Sequence, residues 1–172
     1  MTWQLILGLT IPSVVVLVAV YLMFRQYFQY QTQSRVLDAK FDKAAVTLPL
    51  RLQAFERLLL LCERIDLPDL VLRIKTPGTS ASALRSAMII AIQHEYEHNL
   101  TQQLYVSDEL WNILITAKNK TMDLISVAAT GLEPNASSDD YVAALMRIAQ
   151  QEEQLPSHIA KKAIKTESSL WL

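Results

Sequence analysis

Residues 48–65 read LPLRLQAFERLLLLCERI, and the spacing of apolar and charged positions along them decides the fold class. On a wheel of 100° per residue, Gln53, Glu56, Arg57, Glu63 and Arg64 gather within about 120°, with Leu60 the one apolar residue among them. The remaining arc carries Leu52, Phe55, Leu58, Leu59, Leu61, Cys62 and Ile65. An apolar arc this wide predicts the central helix of a bundle, opened by Pro49 and ending near Ile65. Cys62 then fills the core as a small hydrophobe rather than serving as a reactive thiol. Arg51 falls on the same apolar arc, between Leu58 and Cys62, so it needs a buried or half-buried partner.

The pattern continues downstream as helices separated by breakers. Asp66-Leu67-Pro68 stops the first helix and starts a short one, PDLVLRIK. Thr76-Pro77-Gly78-Thr79-Ser80 is a turn with Thr79 or Ser80 as N-cap, and a long helix follows to about Leu104. Ser107 caps the next, with Asp108 and Glu109 in its first turn and Gly131 closing it. Ser137 or Ser138 caps a further helix to about Glu153, and Pro156-Ser157 opens the last. Strand-like alternation is absent, so residues 48–172 are expected to form an all-α bundle of about five helices.

Upstream, the chain changes character. No Asp, Glu, Lys or Arg occurs in residues 1–24, where WQLILGLTIPSVVVLVAVYLMF runs from Trp3 to Phe24. As a helix it spans roughly 33 Å, against a bilayer core of about 30 Å. Without a basic start or a small-residue cleavage site it reads as an uncleaved transmembrane anchor rather than a signal peptide. Arg25, Arg35, Lys40 and Lys43 follow it, which places the N-terminus outside and the C-terminal part in the cytoplasm. Trp3 at one end and Arg25, Tyr27, Phe28 and Tyr30 at the other mark the two membrane interfaces. Residues 25–47, rich in Gln and free of Gly and Pro, read as a helical stalk. Its sparse apolar positions permit self-association without a sustained heptad seam.

Composition excludes several functions. The chain has 172 residues, 51% hydrophobic, a net charge of −1, and only three glycines, so neither a GxGxxG nor a P-loop cradle can be built. One cysteine precludes an internal disulfide and a Cys-based zinc knuckle. The lack of a basic run leaves nucleic-acid binding without its electrostatic footprint.

One stretch has a catalytic outline. His94-Glu95-Tyr96-Glu97-His98 matches H-E-x-x-H inside a predicted helix, where the i, i+4 spacing sets two imidazoles on one face and the Glu could activate a metal-bound water. That reading makes His94 and His98 zinc ligands and Glu95 the general base, with His158, Glu109 or Asp123 as the remaining ligand candidates. Thr101 and Leu104 stand where the extended motif needs Gly and His. Leu84, Met88, Ala91, Glu95, His98 and Gln102 also share about 80° of the wheel, so Glu95 and His98 continue an apolar stripe. The preferred expectation is a structural polar patch of Arg51, Glu95, His98 and Gln102. In it Arg51, or another arginine of its helix, pairs with Glu95 or Glu97. No cofactor is expected. Trp111 is expected in the core, Trp171 to dock the tail or meet a partner, and Lys161, Lys162 and Lys165 to form a small basic face.

The segments LPLRLQAFERLLLLCERI (48–65), RIKTPG (73–78) and EYEHNLTQQLYVS (95–107) also carry a resemblance. Together, behind an anchor, they resemble an uncharacterised family of short single-pass membrane proteins from Bacteroidota. That family shows an LPxRLQAxERLxLxLERI helix and an E-[FY]-E-H-N-x-[ST]-Q-Q-[IL]-Y-V-S segment. The resemblance implies a bacterial inner-membrane protein without established activity. Its second motif begins at Glu95, which leaves His94 outside and makes the H-E-x-x-H match accidental. The expected role is a non-enzymatic adaptor or accessory subunit of an envelope complex, partnered by the bilayer and another protein. A membrane-anchored zinc hydrolase is the alternative.

Overall fold

The computed structural model describes residues 2–171, with side chains described for Trp3, residues 16–28 and residues 47–171. It is all-helical: α1 (Thr2–Arg64), α2 (Leu67–Ile74), α3 (Ala81–His98), a 3₁₀ segment (Leu100–Leu104), α4 (Asp108–Val127), α5 (Ser138–Gln151) and α6 (Pro156–Ser168). The chain divides into two units, Met1–Thr47 and Leu48–Leu172.

In the first unit, every residue from Val16 to Phe28 is exposed. Among the described residues no helix is long and apolar enough to cross a membrane. The anchor expected at 1–24 falls in large part on residues 4–15, whose side chains lie outside those described. The expected stalk at 25–47 is helical, with side chains 29–46 likewise outside.

Pro49 does not open a helix, as the sequence led us to expect; α1 runs through it. A proline inside a helix removes one donor and strains the preceding turn, and Pro49 is exposed here. The boundary between the two units falls beside this weakened rung.

The second unit is built on the apolar arc of residues 48–65. Phe55, Leu58, Leu61, Cys62 and Ile65 are buried in one cluster with Leu67 and Leu70 of α2, Leu84, Met88 and Ile92 of α3, Leu110, Trp111, Leu114 and Ile125 of α4, Tyr141 and Leu145 of α5, and Ala160 and Ile164 of α6. Desolvation pushes the Cys62 thiol up to about 12, which fits a core filler. Trp111 stacks on Tyr96 at 5.7 Å between ring centroids, and the Lys118 ammonium lies 4.5 Å above the Tyr96 ring.

Serine caps start the helices where turn chemistry suggested. Ser80 accepts from the Ala83 N–H, Ser107 from Leu110, and Ser137 forms a reciprocal capping box with Asp140. Each such cap is worth about 1 kcal/mol. The capped starts of α3 and α5 are also tied together, since Ala81 N–H donates to Ala136 O at 3.0 Å and Ser138 N–H to Thr79 O at 3.1 Å. Glu167 of α6 reaches the start of α4, where its carboxylate accepts from the Ser107 N–H at 2.9 Å.

Two helix ends differ from the sequence reading. α3 stops at His98 instead of near Leu104, because the Asn99 side chain donates to Glu95 O at 2.8 Å and the chain tightens into the 3₁₀ segment. α4 stops at Val127, and Gly131 lies beyond its end with no left-handed φ. Among the described residues Gly78 alone, at φ 78°, occupies the left-handed region, which its turn between α2 and α3 requires.

Candidate functional site

The polar arc of residues 53–64, away from the core, contributes to a polar concavity on the second unit. Arg57, Leu60 and Arg64 from α1 face His94, Glu95 and His98 from the end of α3, with the capping residue Asn99 beside them. These seven residues line an open pocket of about 490 Å³. Two further grooves, of about 260 and 420 Å³, run between α4 and α6 and share Ile113 and Ile159. They are mostly apolar and bring together no comparable set of charged groups.

Within the polar pocket, Glu95 is half-buried and already engaged. Arg64 donates through Nη1 to both carboxylate oxygens, at 3.0 and 3.3 Å. The anchoring arginine is held in turn, because Arg73 of α2 donates to Arg64 O at 2.9 Å. His98 donates its Nδ1–H to His94 O at 2.9 Å, since a carbonyl can only accept, and this leaves Nε2 as its open nitrogen. The two imidazole rings meet edge to face, 4.2 Å between centroids. Gln93 and Glu97 pair with each other at 2.8 Å.

The structure thus brings Glu95 and His98 together with His94, and separates them from the other two members of the expected patch. Gln102 is buried in the 3₁₀ segment, where it donates to Thr101 Oγ1 at 3.3 Å, because α3 ends before it could continue the stripe. Arg51 lies elsewhere, its guanidinium 3.8 Å above the ring of Trp171. The wheel placed Arg51 correctly on the inward arc but could not give its height. Thirteen residues separate it from Arg64, about 20 Å along the axis, and the C-terminal tail covers it there. Another arginine of that helix, Arg64, takes the Glu95 partnership.

Among the described residues no group of three or more His, Cys, Asp or Glu side chains is placed to hold a metal ion. His158 pairs instead with Asp66 at 3.4 Å. Asp66 is 7% exposed and also accepts from the buried Ser157 hydroxyl, which fixes the start of α6 to the corner between α1 and α2. Lys161 is taken by Glu63 at 2.9 Å, which removes it from the small basic face of α6. Of the interface set, Trp3, Tyr27 and Phe28 are exposed at 77%, 60% and 60%. Arg25 is exposed too, and the Tyr30 side chain lies outside those described.

The sequence placed Arg57 and Arg64 only on the charged arc: it allowed an arginine of that helix to pair with Glu95 or Glu97 without saying which, and it did not single out Arg57. The signal that could have found them is Leu60, an exposed leucine in a charged arc, which lines the same pocket.

A family model matches residues 1–170, nearly the whole chain, and is described as a family of unknown function, DUF7935. The chain belongs to that family. No curated protein and no solved structure matches it. Membership of DUF7935 assigns no chemistry to the pocket.

Proposed function

We propose that this DUF7935 chain is a membrane-tethered, non-enzymatic helical module of a bacterial inner membrane. In this reading its N-terminus lies outside, residues 48–172 lie in the cytoplasm, and it serves as an adaptor or accessory subunit of an envelope complex. The Bacteroidota origin suggested by its two long motifs belongs to the same proposal. The observation that carries it is the stretch Val16–Phe24, in which every residue is apolar and every side chain exposed. Contiguous apolar surface on a single helix calls for a partner, and lipid is a fitting one: each Val, Leu or Phe at the centre of a spanning helix favours insertion by about 0.3–0.6 kcal/mol. The adaptor role draws on the helical fold and on the lack of a third metal ligand beside His94 and His98 among the described residues. Association of two copies through residues 25–47 is compatible with it.

The test is fractionation of native membranes with a tag at the C-terminus. The chain is expected to resist carbonate extraction, and the tag to be digested in inverted vesicles but protected in spheroplasts. Release by carbonate overturns the tether, and digestion in spheroplasts overturns the orientation. A stoichiometric protein that co-purifies from native membrane supports the adaptor role; zinc at one per chain, lost on His94→Ala, replaces it with the hydrolase.

A further inference from the structure

We propose that the pocket between the ends of α1 and α3 binds a phosphomonoester, with Arg57, Arg64, His94 and His98 as its ligands. The charges on its walls point to an anion. Arg57 has Gln53, Ala54, Leu60 and Leu61 at the i±3 and i±4 positions, so its own helix supplies no carboxylate to neutralise it. Glu95, the one acidic side chain in the lining, is committed to a single nitrogen of Arg64, and the rest of that guanidinium fork stays available. Planar guanidinium groups match the oxygen spacing of phosphate and can donate two parallel hydrogen bonds to it.

The histidines add to this. With Nδ1 of His98 held by the His94 carbonyl, Nε2 is free to accept the remaining proton of a singly protonated phosphate ester, or to donate once the ring is protonated. The same nitrogen would suit a transition metal, but both arginines line the same pocket and repel a cation, and no third ligand stands nearby among the described residues.

Leu60 and the size of the pocket favour an ester over inorganic phosphate. Leu60 is 57% exposed and gives the organic portion an apolar contact. The volume of about 490 Å³ exceeds what a bare phosphate fills and lies within the range of small-molecule sites. The ester could come from a soluble metabolite or from a phosphatidic-acid headgroup, which present the same dianion.

The full chain, purified in a non-ionic detergent, is titrated at fixed ionic strength with glycerol 3-phosphate, dioctanoyl phosphatidic acid, inorganic phosphate and zinc chloride. Binding is read by calorimetry and by the ³¹P chemical shift. We expect saturable binding of glycerol 3-phosphate tighter than about 1 mM, weakened at least tenfold by Arg57→Ala or His94→Gln. Both substitutions are at exposed positions, which circular dichroism checks for folding. Arg51→Ala, which removes an equal charge from the same helix outside the pocket, leaves binding unchanged. Phosphatidic acid at least tenfold tighter than glycerol 3-phosphate, with the same dependence on Arg57, assigns the ester to the membrane; equal affinities assign it to a soluble compound. No saturable binding of either ester up to 10 mM, or binding indifferent to Arg57, overturns the proposal. So does zinc binding lost on His94→Gln without ester binding.

Discussion

Replacing Tyr141 by Phe tests how α4 and α5 are joined in the core. Tyr141 is fully buried and donates its hydroxyl to Ile125 O at 2.7 Å. Ile125 O would ordinarily accept from the amide four residues on, but the Ala129 N–H turns to Ser126 O at 3.2 Å as α4 ends. The Tyr141 hydroxyl therefore stands in for a missing helical bond. The phenylalanine variant keeps the ring and strands the carbonyl, at a cost of about 1–3 kcal/mol. For a unit spanning Leu48–Leu172, an unfolding entropy of about 0.26 kcal/mol per kelvin turns this into a Tm drop of about 4–11 °C. Thermal unfolding of the full chain in detergent, followed by tryptophan fluorescence, measures it. A second reading comes from pH. Burial raises the Tyr141 phenol from 10.0 to about 12, against a lowering pull from Arg85. Between those values the unfolded phenol has lost its proton and the folded one has not, so stability falls as pH rises through that window. The variant lacks this component, and the Tm gap between the two proteins should narrow from pH 10 to 12. A Tm loss under about 2 °C, or a gap that stays constant through that window, would refute the account.

Two further outcomes follow from buried groups. Cys62, with its thiol held at about 12 by burial, should react with a disulfide reagent at pH 8 at least about 100-fold more slowly in the folded chain than in guanidinium. Rapid labelling of the folded chain would show that the arc from Ala54 to Ile65 is open to solvent. Asp66→Ala should lower stability by about 1–3 kcal/mol in chemical denaturation, because it leaves the buried Ser157 hydroxyl without its acceptor. Asp66→Asn should recover part of the loss, and an unchanged midpoint in both variants would remove Asp66 from the packing of α6.

The helical class could be read early because its signals are local. The 3.6-residue spacing of Phe55, Leu58, Cys62 and Ile65 identifies the buried face without reference to anything it packs against, and all four are buried. Ser107 and Ser137 act as caps within three residues of themselves. The end of α3 was harder, since Asn99 is an ordinary helix residue unless its side chain turns back to Glu95 O. The continuation of α1 through Pro49 was misjudged for the opposite reason: a local breaker lost to the helical turns on either side.

The pocket depended on information that no periodicity contains. A wheel gives the face on which Arg51, Arg57, Arg64, His94 and Glu95 lie, but not the height at which one helix meets another. The sequence by itself determined the helices, their caps and their buried faces, because these follow from interactions across three or four residues. Only the tertiary structure decided that Arg64 meets Glu95, that Trp171 covers Arg51, and that Arg57 and Leu60 open onto the His94–His98 pair. Those are contacts across tens of residues, set by how the α1 and α3 faces slide into register as the common core closes.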